Sequence, residues 1–354
     1  MSESRPTGPE SPRLSVVLPV RNEERHIARI LHELQAQSVT PDAVEFIVAD
    51  GMSSDRTREI VLEMGREDPR IRLVDNPAGR SGPARNAGAA HARAPYVLFV
   101  DGHCHILSPT MLADVMDAFA AGARCISRPQ PLMAEAGHDF QTAVSLARTS
   151  FLGHNTGSLI YNDGDRWCSP LSAGCGYELG LYRELGGVDE EFDAGEDLEF
   201  NLRVERAGVQ ARHSDRFAVG YLPRADLLAL FRQIYRYGYG RARMARKHRG
   251  GVTPAAAALS VLSLLAVVLP VLGLIHPWAW WAFGLAGLVH GGAVFIAAGQ
   301  VTLRRRPDLF ATVVMCLLAI HHGAGLGYLS GWLGGPAWTH APRGSAQGLQ
   351  ARDA

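Results

Sequence analysis

Between Pro254 and Trp332 the only charged residues are Arg304, Arg305, Arg306 and Asp308. Few structures can absorb so long an apolar segment. Where backbone amides meet lipid they must be bonded within their own element, so such segments become helices. Three stretches, about 255–275, 278–298 and 309–329, each approach the ~20 residues that a bilayer crossing requires. Internal Gly and Pro, such as Pro270, are tolerated in membrane helices. Trp278, Trp280 and Trp281 suit an interfacial belt. The other reading is a buried helical hairpin in a soluble protein.

The rest of the chain holds nearly all of the charge. Lys plus Arg (35) equals Asp plus Glu (35), a balance that gives no sign of a polyanionic partner, and nucleic acid is not expected. A Lys/Arg cluster from Arg241 to Arg249 precedes the first apolar stretch, and Arg304 to Arg306 separates the second from the third. The His276-Pro277 linker has no Lys or Arg. The positive-inside rule therefore predicts a multi-pass protein of the cell (inner) membrane, with its charged part cytoplasmic and the tail after the third span outside. The five cysteines form no Cys-x-x-Cys pair, which argues against a disulfide framework and a structural zinc site. Met1 to Pro12 has no apolar run and reads as a flexible tail, not a signal peptide.

Apolar strand patterns at Leu14–Val20, Val44–Ala49, Ile71–Val74 and Tyr96–Val100 alternate with helical periods at Glu23–Gln37, Asp55–Met64, Gly82–Ala92 and Leu107–Ala121. Such alternation predicts an α/β fold with a mostly parallel sheet between helices. Ligands then sit at the carboxyl ends of the strands, which puts Asp50 and Asp101 on one rim. The region from Arg124 to Gly220 is irregular, apart from a charged helix at Glu196–Ala207. The expected organisation is a tail (1–12), an α/β domain (13–225), an amphipathic basic helix on the membrane surface (226–250), a membrane region (251–333) and a second flexible tail (334–354).

Five motifs occur in order: Pro19-Val-Arg-Asn-Glu23, Asp50-Gly-Met-Ser-Ser-Asp-Arg-Thr57, Asp101-Gly-His103, Gly195-Glu-Asp197 and Gln233-Ile-Tyr-Arg236-Tyr237. Together with the apolar tail they resemble the family 2 glycosyltransferases of the GT-A nucleotide-diphospho-sugar transferase fold, over roughly residues 13–240. Asp101-Gly-His-Cys and Gly-Arg-Ala-Arg at 240–243 resemble the succinoglycan-type exopolysaccharide members.

The resemblance implies an inverting hexosyltransferase with a nucleotide-sugar donor of the UDP-glucose kind. It further implies a lipid-linked saccharide acceptor, contacts with membrane lipids and polysaccharide-assembly partners. The donor pocket would use Pro19, Val20, Arg21, Glu23, Asp50, Arg80, Arg85, Asp101 and Gly102. Asp101 and His103 would hold a divalent metal, which neutralises the departing diphosphate. The family usually has Asp-x-Asp here. A histidine in the second place removes one negative charge and favours Mn²⁺ over Mg²⁺, since imidazole suits the former better. Asp197 would be the general base that takes the acceptor's proton, with Glu196 in support. Gln233, Arg236 and Tyr237 would border the acceptor and the diphosphate; Tyr stands where processive relatives have Trp, which argues against processivity.

Each residue has a plainer reading. Asp50 or Asp55 can form an Asx-turn or cap the next helix. Glu23 can be an acidic residue at a helix start, and Glu196, Asp197 and Glu199 a first-turn acidic cluster. His103 can hydrogen-bond a phosphate without binding metal, or His105 can take its place. Arg80 and Arg85 can be solvated. Trp167, Cys168 and Tyr177 can border an acceptor or fill the core. Two other functions remain open: transfer directly to a lipid such as a polyprenyl phosphate or diacylglycerol, and a catalytically weak nucleotide-sugar-binding membrane scaffold.

Overall fold

The computed structural model describes residues 11–154, 159–161, 164–192, 194–248 and 254–335. The tails expected at 1–12 and 334–354 fall almost wholly outside them. The first third alternates as expected: β1 (Leu14–Val20), α1 (Ile27–Gln35), β2 (Val44–Asp50), α2 (Thr57–Glu67), β3 (Ile71–Asp75), α3 (Ser81–Ala90) and β4 (Tyr96–Phe99). β1 pairs in parallel with both β2 and β4, and β2 with β3. Alternate residues of β1 enter different cores, because side chains of a strand alternate in direction. Val16 and Leu18 join the α1 stripe of Ile27, Ile30, Leu31 and Leu34, while Val17 faces the opposite layer with Ile47 and Phe99.

The sequence then continues through β5 (Cys104–Ile106), α4 (Met111–Ala120), β6 (Cys125–Ser127), α5 (Asp139–Thr149), β7 (Arg166–Cys168), β8 (Gly174–Glu178), α6 (Leu179–Glu184), α7 (Glu196–Arg206), β9 (Ala211–His213) and β10 (Val219–Tyr221). The large sheet has the order β3-β2-β1-β4-β8-β6-β9-β7, and β10 pairs with β5 apart from it. Four of the large sheet's seven pairings are parallel, as expected, and three antiparallel ones are added. β8 runs antiparallel between β4 and β6, and β7 antiparallel to β9, so the sheet is parallel in one half and mixed in the other. Gly176 lets β8 fit there, since a Cβ would lie 3.1 Å from Leu98 Cδ1 and 3.3 Å from Ile126 Cβ. Tyr177, a candidate acceptor contact, is instead core: it is 2% exposed and its hydroxyl donates to Asn201 at 2.7 Å.

One buried charge anchors the parallel half away from the rim. Glu45 is 1% exposed and accepts from Ser15 Oγ (2.6 Å), Arg93 N (2.7 Å), Arg93 Nε (2.9 Å) and Arg72 Nη2 (2.7 Å). Burial opposes its ionisation, but the Ser15 and Arg93 bonds and the Arg72 charge prevail and hold its carboxyl below the usual range. Glu45→Ala should cost about 1–3 kcal/mol, because it removes the buried acceptor of Ser15 Oγ and the Arg93 amide, while both arginines reach solvent. The parent's Glu45 contribution is present above the unfolded carboxylate pKa of ~4.3 and lost as pH falls below it. Chemical denaturation at pH 7 and pH 4 checks both: the gap between parent and variant should narrow at pH 4.

α8 (Leu227–Lys247), α9 (Pro254–Gly273), α10 (Trp278–Thr302) and α11 (Phe310–Leu333) follow as the last helices of the described residues. Three helical segments, Pro254–Gly273, Trp278–Thr302 and Pro307–Leu333, are long and apolar enough to cross a membrane. α8 lies against α11, with backbones close enough that a Cβ on Gly331 would sit 2.7 Å from Ala242 Cβ, and one on Gly327 would overlap the Tyr235 carbonyl. Small residues permit such approach between membrane-region helices. α5 joins the same cluster through Ala143, Val144 and Ala147, against Val294, Val313, Cys316 and Leu317.

Candidate active site

The loops after β1 and β2 are tied to each other. Asn22, at φ 57°, accepts from Ser54 N at 2.8 Å while its own N–H donates to Ser53 Oγ at 2.8 Å. Arg21 Nη1 reaches Gly79 O at 3.1 Å, joining the turn before α3. Asp50 ends β2 with no exposure. Its carboxylate accepts from Ser53 N (3.0 Å) and Arg58 Nη1 (2.8 Å), and Arg58 also meets Asp75 at 2.8 Å. Those two bonds fall on Oδ2, and Ser53 Oγ donates to Oδ1, so both oxygens are engaged inside the protein. Asp55 takes the role of opening α2, accepting from Thr57 N at 3.0 Å.

Asp101 follows β4 on the same rim. Gly102 must be glycine, since a Cβ would lie 2.9 Å from Val20 Cγ1 and 3.4 Å from Glu23 Cγ. That contact stacks the Pro19–Glu23 segment on the Asp101–His103 turn. Its result is a hydrogen bond between His103 Nδ1 and Glu23 Oε1 at 3.1 Å. Glu23 precedes α1, which begins only at Ile27, so it serves the histidine and not the first helical turn. His105 belongs elsewhere, with Arg29 and Glu33.

Arg85 joins two distant motifs. Its side chain is 12% exposed; Nη2 meets Asp101 Oδ1 at 3.2 Å, Nε meets Glu196 Oε1 at 3.5 Å, and the guanidinium lies 5.3 Å from the Phe99 ring centroid. Glu196 and Asp197 begin α7 after Gly195, which has φ 79°. Gly240 of α8 presses on this turn, for a Cβ there would overlap the Ala194 carbonyl. Glu196 is buried, whereas Asp197 is exposed and bonded only to Leu198 N at 2.8 Å among the described contacts.

The charges of the site are set apart by these neighbours. Burial alone would raise the Asp101 carboxyl, but Arg85, then His103, Arg128 and Arg224, hold it below its ordinary range. Burial and then the adjacent Asp197 push Glu196 up, against the pull of Arg85. Burial lowers His103, but its bond to Glu23 and the charge of Asp101 outweigh that and leave it raised. The Cys104 thiol is pushed up to about 12 by burial, and so is inert as a nucleophile.

The fifth motif reaches the site through a residue the sequence did not single out. Gln233 Nε2 donates to Tyr221 Oη (3.0 Å) and Tyr237 Oη (3.1 Å), and the Tyr221 ring stands edge-on to His103 with centroids 5.2 Å apart. Tyr237 is 41% exposed and available for stacking; Arg236 is half-buried on the same helix. Arg80 is exposed just before α3. Tyr221, Arg128 and Arg224 were missed because they stand in no motif; only the charge of the two arginines hinted at them.

Among the described residues, no group of three or more His, Cys, Asp or Glu could hold a metal ion. Two donors converge here. Asp101 favours its charged form, and His103 Nε2 is buried without a hydrogen-bond partner. With Nδ1 committed to Glu23, that second nitrogen is the one left for a ligand, the outer-carboxylate arrangement common at metal-bound imidazoles. The pair fits an ion completed by substrate phosphates and not a preformed protein cage.

The mixed sheet with helices on both faces, its aspartates on one rim and its α7 carboxylates facing them, defines the GT-A type of glycosyltransferase fold. Residues 15–136 match the family described as Glycosyl transferase family 2, and residues 116–297 match Glycosyl transferase family group 2. The chain is 32% identical over 305 residues to "Succinoglycan biosynthesis protein ExoA" of Rhizobium meliloti, covering 80% of this chain and 86% of that protein. It therefore belongs to the family 2 glycosyltransferases and resembles the succinoglycan type. It is 19% identical over 342 residues to a Methanococcus voltae dolichyl N-acetyl-alpha-D-glucosaminyl phosphate glucuronosyltransferase, covering 91% and 98% of the two chains. In fold it is similar to the mannosyltransferase PcManGT of Pyrobaculum calidifontis, solved with GDP-Man and Mn²⁺. That match has TM-score 0.57 and 18% identity, and covers 93% of this chain and 90% of that one.

Proposed function

We propose that the chain transfers a sugar from a nucleotide-sugar donor, of the UDP-glucose kind, to a lipid-linked saccharide in exopolysaccharide or cell-envelope glycan synthesis. The observation that carries this reading is the Arg85 bridge. One guanidinium holds Asp101 on the donor rim and Glu196 beside Asp197, so the donor turn and the candidate base face one space. Asp197 accepts the acceptor hydroxyl's proton as that oxygen attacks the anomeric carbon; its exposure lets an acceptor approach. One base without a second carboxylate nucleophile gives a single displacement with inversion. Glu196 supports it by anchoring Arg85, while Pro19, Val20, Arg21, Glu23 and Gly102 line the donor cleft beside Asp101.

Asp101 and His103 would hold a divalent ion, which on binding neutralises charge on the departing diphosphate. The imidazole supports a preference for Mn²⁺ over Mg²⁺. Asp50 serves the donor pocket indirectly, by fixing the Ser53 turn through its closed carboxylate. Gln233 holds Tyr221 against His103, and Tyr237 and Arg236 border the acceptor. The name of one relative, for succinoglycan biosynthesis, supports exopolysaccharide synthesis, and that of another, for a dolichyl-linked phosphate sugar, supports a lipid-linked acceptor. The apolar helices and the flanking arginines support a cell-membrane protein whose catalytic part is cytoplasmic.

Transfer and hydrolysis of UDP- and GDP-sugars, each with Mn²⁺ and with Mg²⁺, test the proposal. Turnover should require metal and be faster with Mn²⁺, and His103→Asp should shift the preference toward Mg²⁺. Failure of every donor with both metals would overturn the transferase reading.

A further inference from the structure

We propose that Arg128 is an anion subsite for phosphate oxygens at the reaction centre. Arg128 follows β6 on the rim that holds Asp101, and is 2% exposed. Its one described side-chain bond runs from Nη2 to Phe99 O at 2.9 Å, on the last residue of β4. Nε and Nη1 are both buried without a partner. A buried guanidinium with two unsatisfied N–H groups is costly, and a fold that only needed to close the Phe99 carbonyl could use a neutral donor. Its charge helps hold Asp101 ionised and bears on the buried thiols Cys104 and Cys175, so it stands close to the donor turn. Nε and Nη1 point to different sides of the guanidinium, and each keeps an N–H that can donate to a phosphate oxygen. They would become satisfied when substrate binds.

This inference rests on the transferase reading. Phosphate can come from two sources, the donor's diphosphate or the acceptor's lipid phosphate. Calorimetry of UDP and GDP binding to the full chain in detergent, with KM measured for a polyprenyl-phosphate sugar, separates them in parent, Arg128→Lys and Arg128→Met. Loss of nucleotide affinity by tenfold or more in Arg128→Met, partly restored in Arg128→Lys, assigns the subsite to the donor. Unchanged nucleotide affinity with a KM raised tenfold or more assigns it to the acceptor. A folded Arg128→Met chain with both constants unchanged overturns the subsite. If the parent itself binds no nucleotide and uses no acceptor, the transferase reading fails first.

A separate observation bears on the membrane. We infer that α11 lies along the inner membrane interface and does not cross, so that α9 and α10 form the only crossing pair among the described helices. Half of the most apolar stretch of Pro307–Leu333 is buried, against 17% for α9 and for α10. α9 and α10 meet α11, at Gly325 and at His321, but much of its cover comes from the catalytic part. Its first half meets α5, and Arg306, just before it, reaches Asp139 at 2.7 Å. Its second half follows α8, with Gly323 beside Ile234 and Gly331 beside Ala242. α8 is itself fixed to the catalytic part at both ends, by Gln233 to Tyr221 and by Lys247 to Glu199 at 2.8 Å. Were α11 to stand across the bilayer, α8 would carry Arg232, Arg236, Arg241, Arg243 and Arg246 toward hydrocarbon beside it, where each charge is strongly disfavoured. The expectation of a tail outside the cell is then reversed.

Impermeant maleimide labelling of the full chain, in membrane vesicles of both orientations and in a Cys168→Ser background, tests this. Leu333→Cys should label from the same face as Arg124→Cys on the catalytic surface, and Leu274→Cys at the hairpin tip from the opposite face. Labelling of position 333 from the Leu274 face restores a third crossing and overturns the inference. So does labelling of all three positions from one face. Release of the chain from membranes by salt alone would instead remove the membrane reading on which it rests.

Discussion

Asp197→Asn should transfer sugar on the order of 10²–10⁴ times more slowly than the parent, the range that a positioned general base contributes. Its nucleotide affinity and melting temperature should be unchanged. Asp197 is exposed, and the described bond of its side chain, to Leu198 N, is one that an asparagine oxygen can keep. The fold therefore loses nothing, while the acceptor hydroxyl loses its proton acceptor. Glu196→Gln is the informative companion. Glu196 is buried and already inclined toward its neutral form, so an amide there should slow transfer far less. Initial rates with saturating donor decide the matter. Equal rates for Asp197→Asn and parent would remove Asp197 as base, and a larger loss in Glu196→Gln would exchange the two roles.

Arg85→Met should cost about 3–5 kcal/mol, because it removes the shared partner of two carboxylates in a buried setting. For a catalytic part of this size that is a melting temperature lower by roughly 10 °C. The two carboxylates respond to pH in opposite senses. Asp101 is depressed in the parent, so its contribution is present above the unfolded pKa near ~4 and lost as pH falls. Glu196 is raised, so its burden on the fold grows as pH rises above the same range. Without Arg85 the Asp101 carboxyl loses the neighbour that holds it down, and Glu196 rises further. The variant should thus be most impaired at neutral pH and recover relative to the parent on acidification toward pH 5. Melting curves between pH 5 and 8 test this. A gap that widens on acidification would show that Arg85 does not neutralise these groups. Activity should fall as well, since Asp101 and the α7 turn lose their common anchor.

Much of the donor half was legible in the sequence because its elements are local. β1 to β4 are short apolar runs closed by turn residues, and α1 carries an unbroken stripe at Ile27, Ile30, Leu31 and Leu34. Beyond α4 the catalytic part was legible only at α7, for reasons of length and register. β6, β7, β9 and β10 have three residues each, too few for a period, and β8 owes its place to Gly176 fitting between Leu98 and Ile126. An antiparallel insertion of this kind leaves no mark in the residue pattern. α5 also went unseen, although it carries the catalytic part onto the apolar helices. Asp50 illustrates the limit at a single residue: the sequence placed it on the rim, but Arg58 and Ser53, which close its carboxylate, are a matter of side-chain packing.

The sequence by itself determined the class of protein, the strand ends that carry Asp50 and Asp101, the acidic start of α7 and the apolar character of the last helices. These depend on motif order and on periodicity, both one-dimensional properties. Only the tertiary structure decided which of those residues meet. Arg85 lies 16 residues from Asp101 but 111 from Glu196, and touches both; Gln233 meets His103 only through Tyr221. The packing of α11 belongs here too. Hydropathy measures whether a helix can enter lipid, whereas which neighbours cover it, here α5 and α8 together with α9 and α10, is settled by tertiary packing.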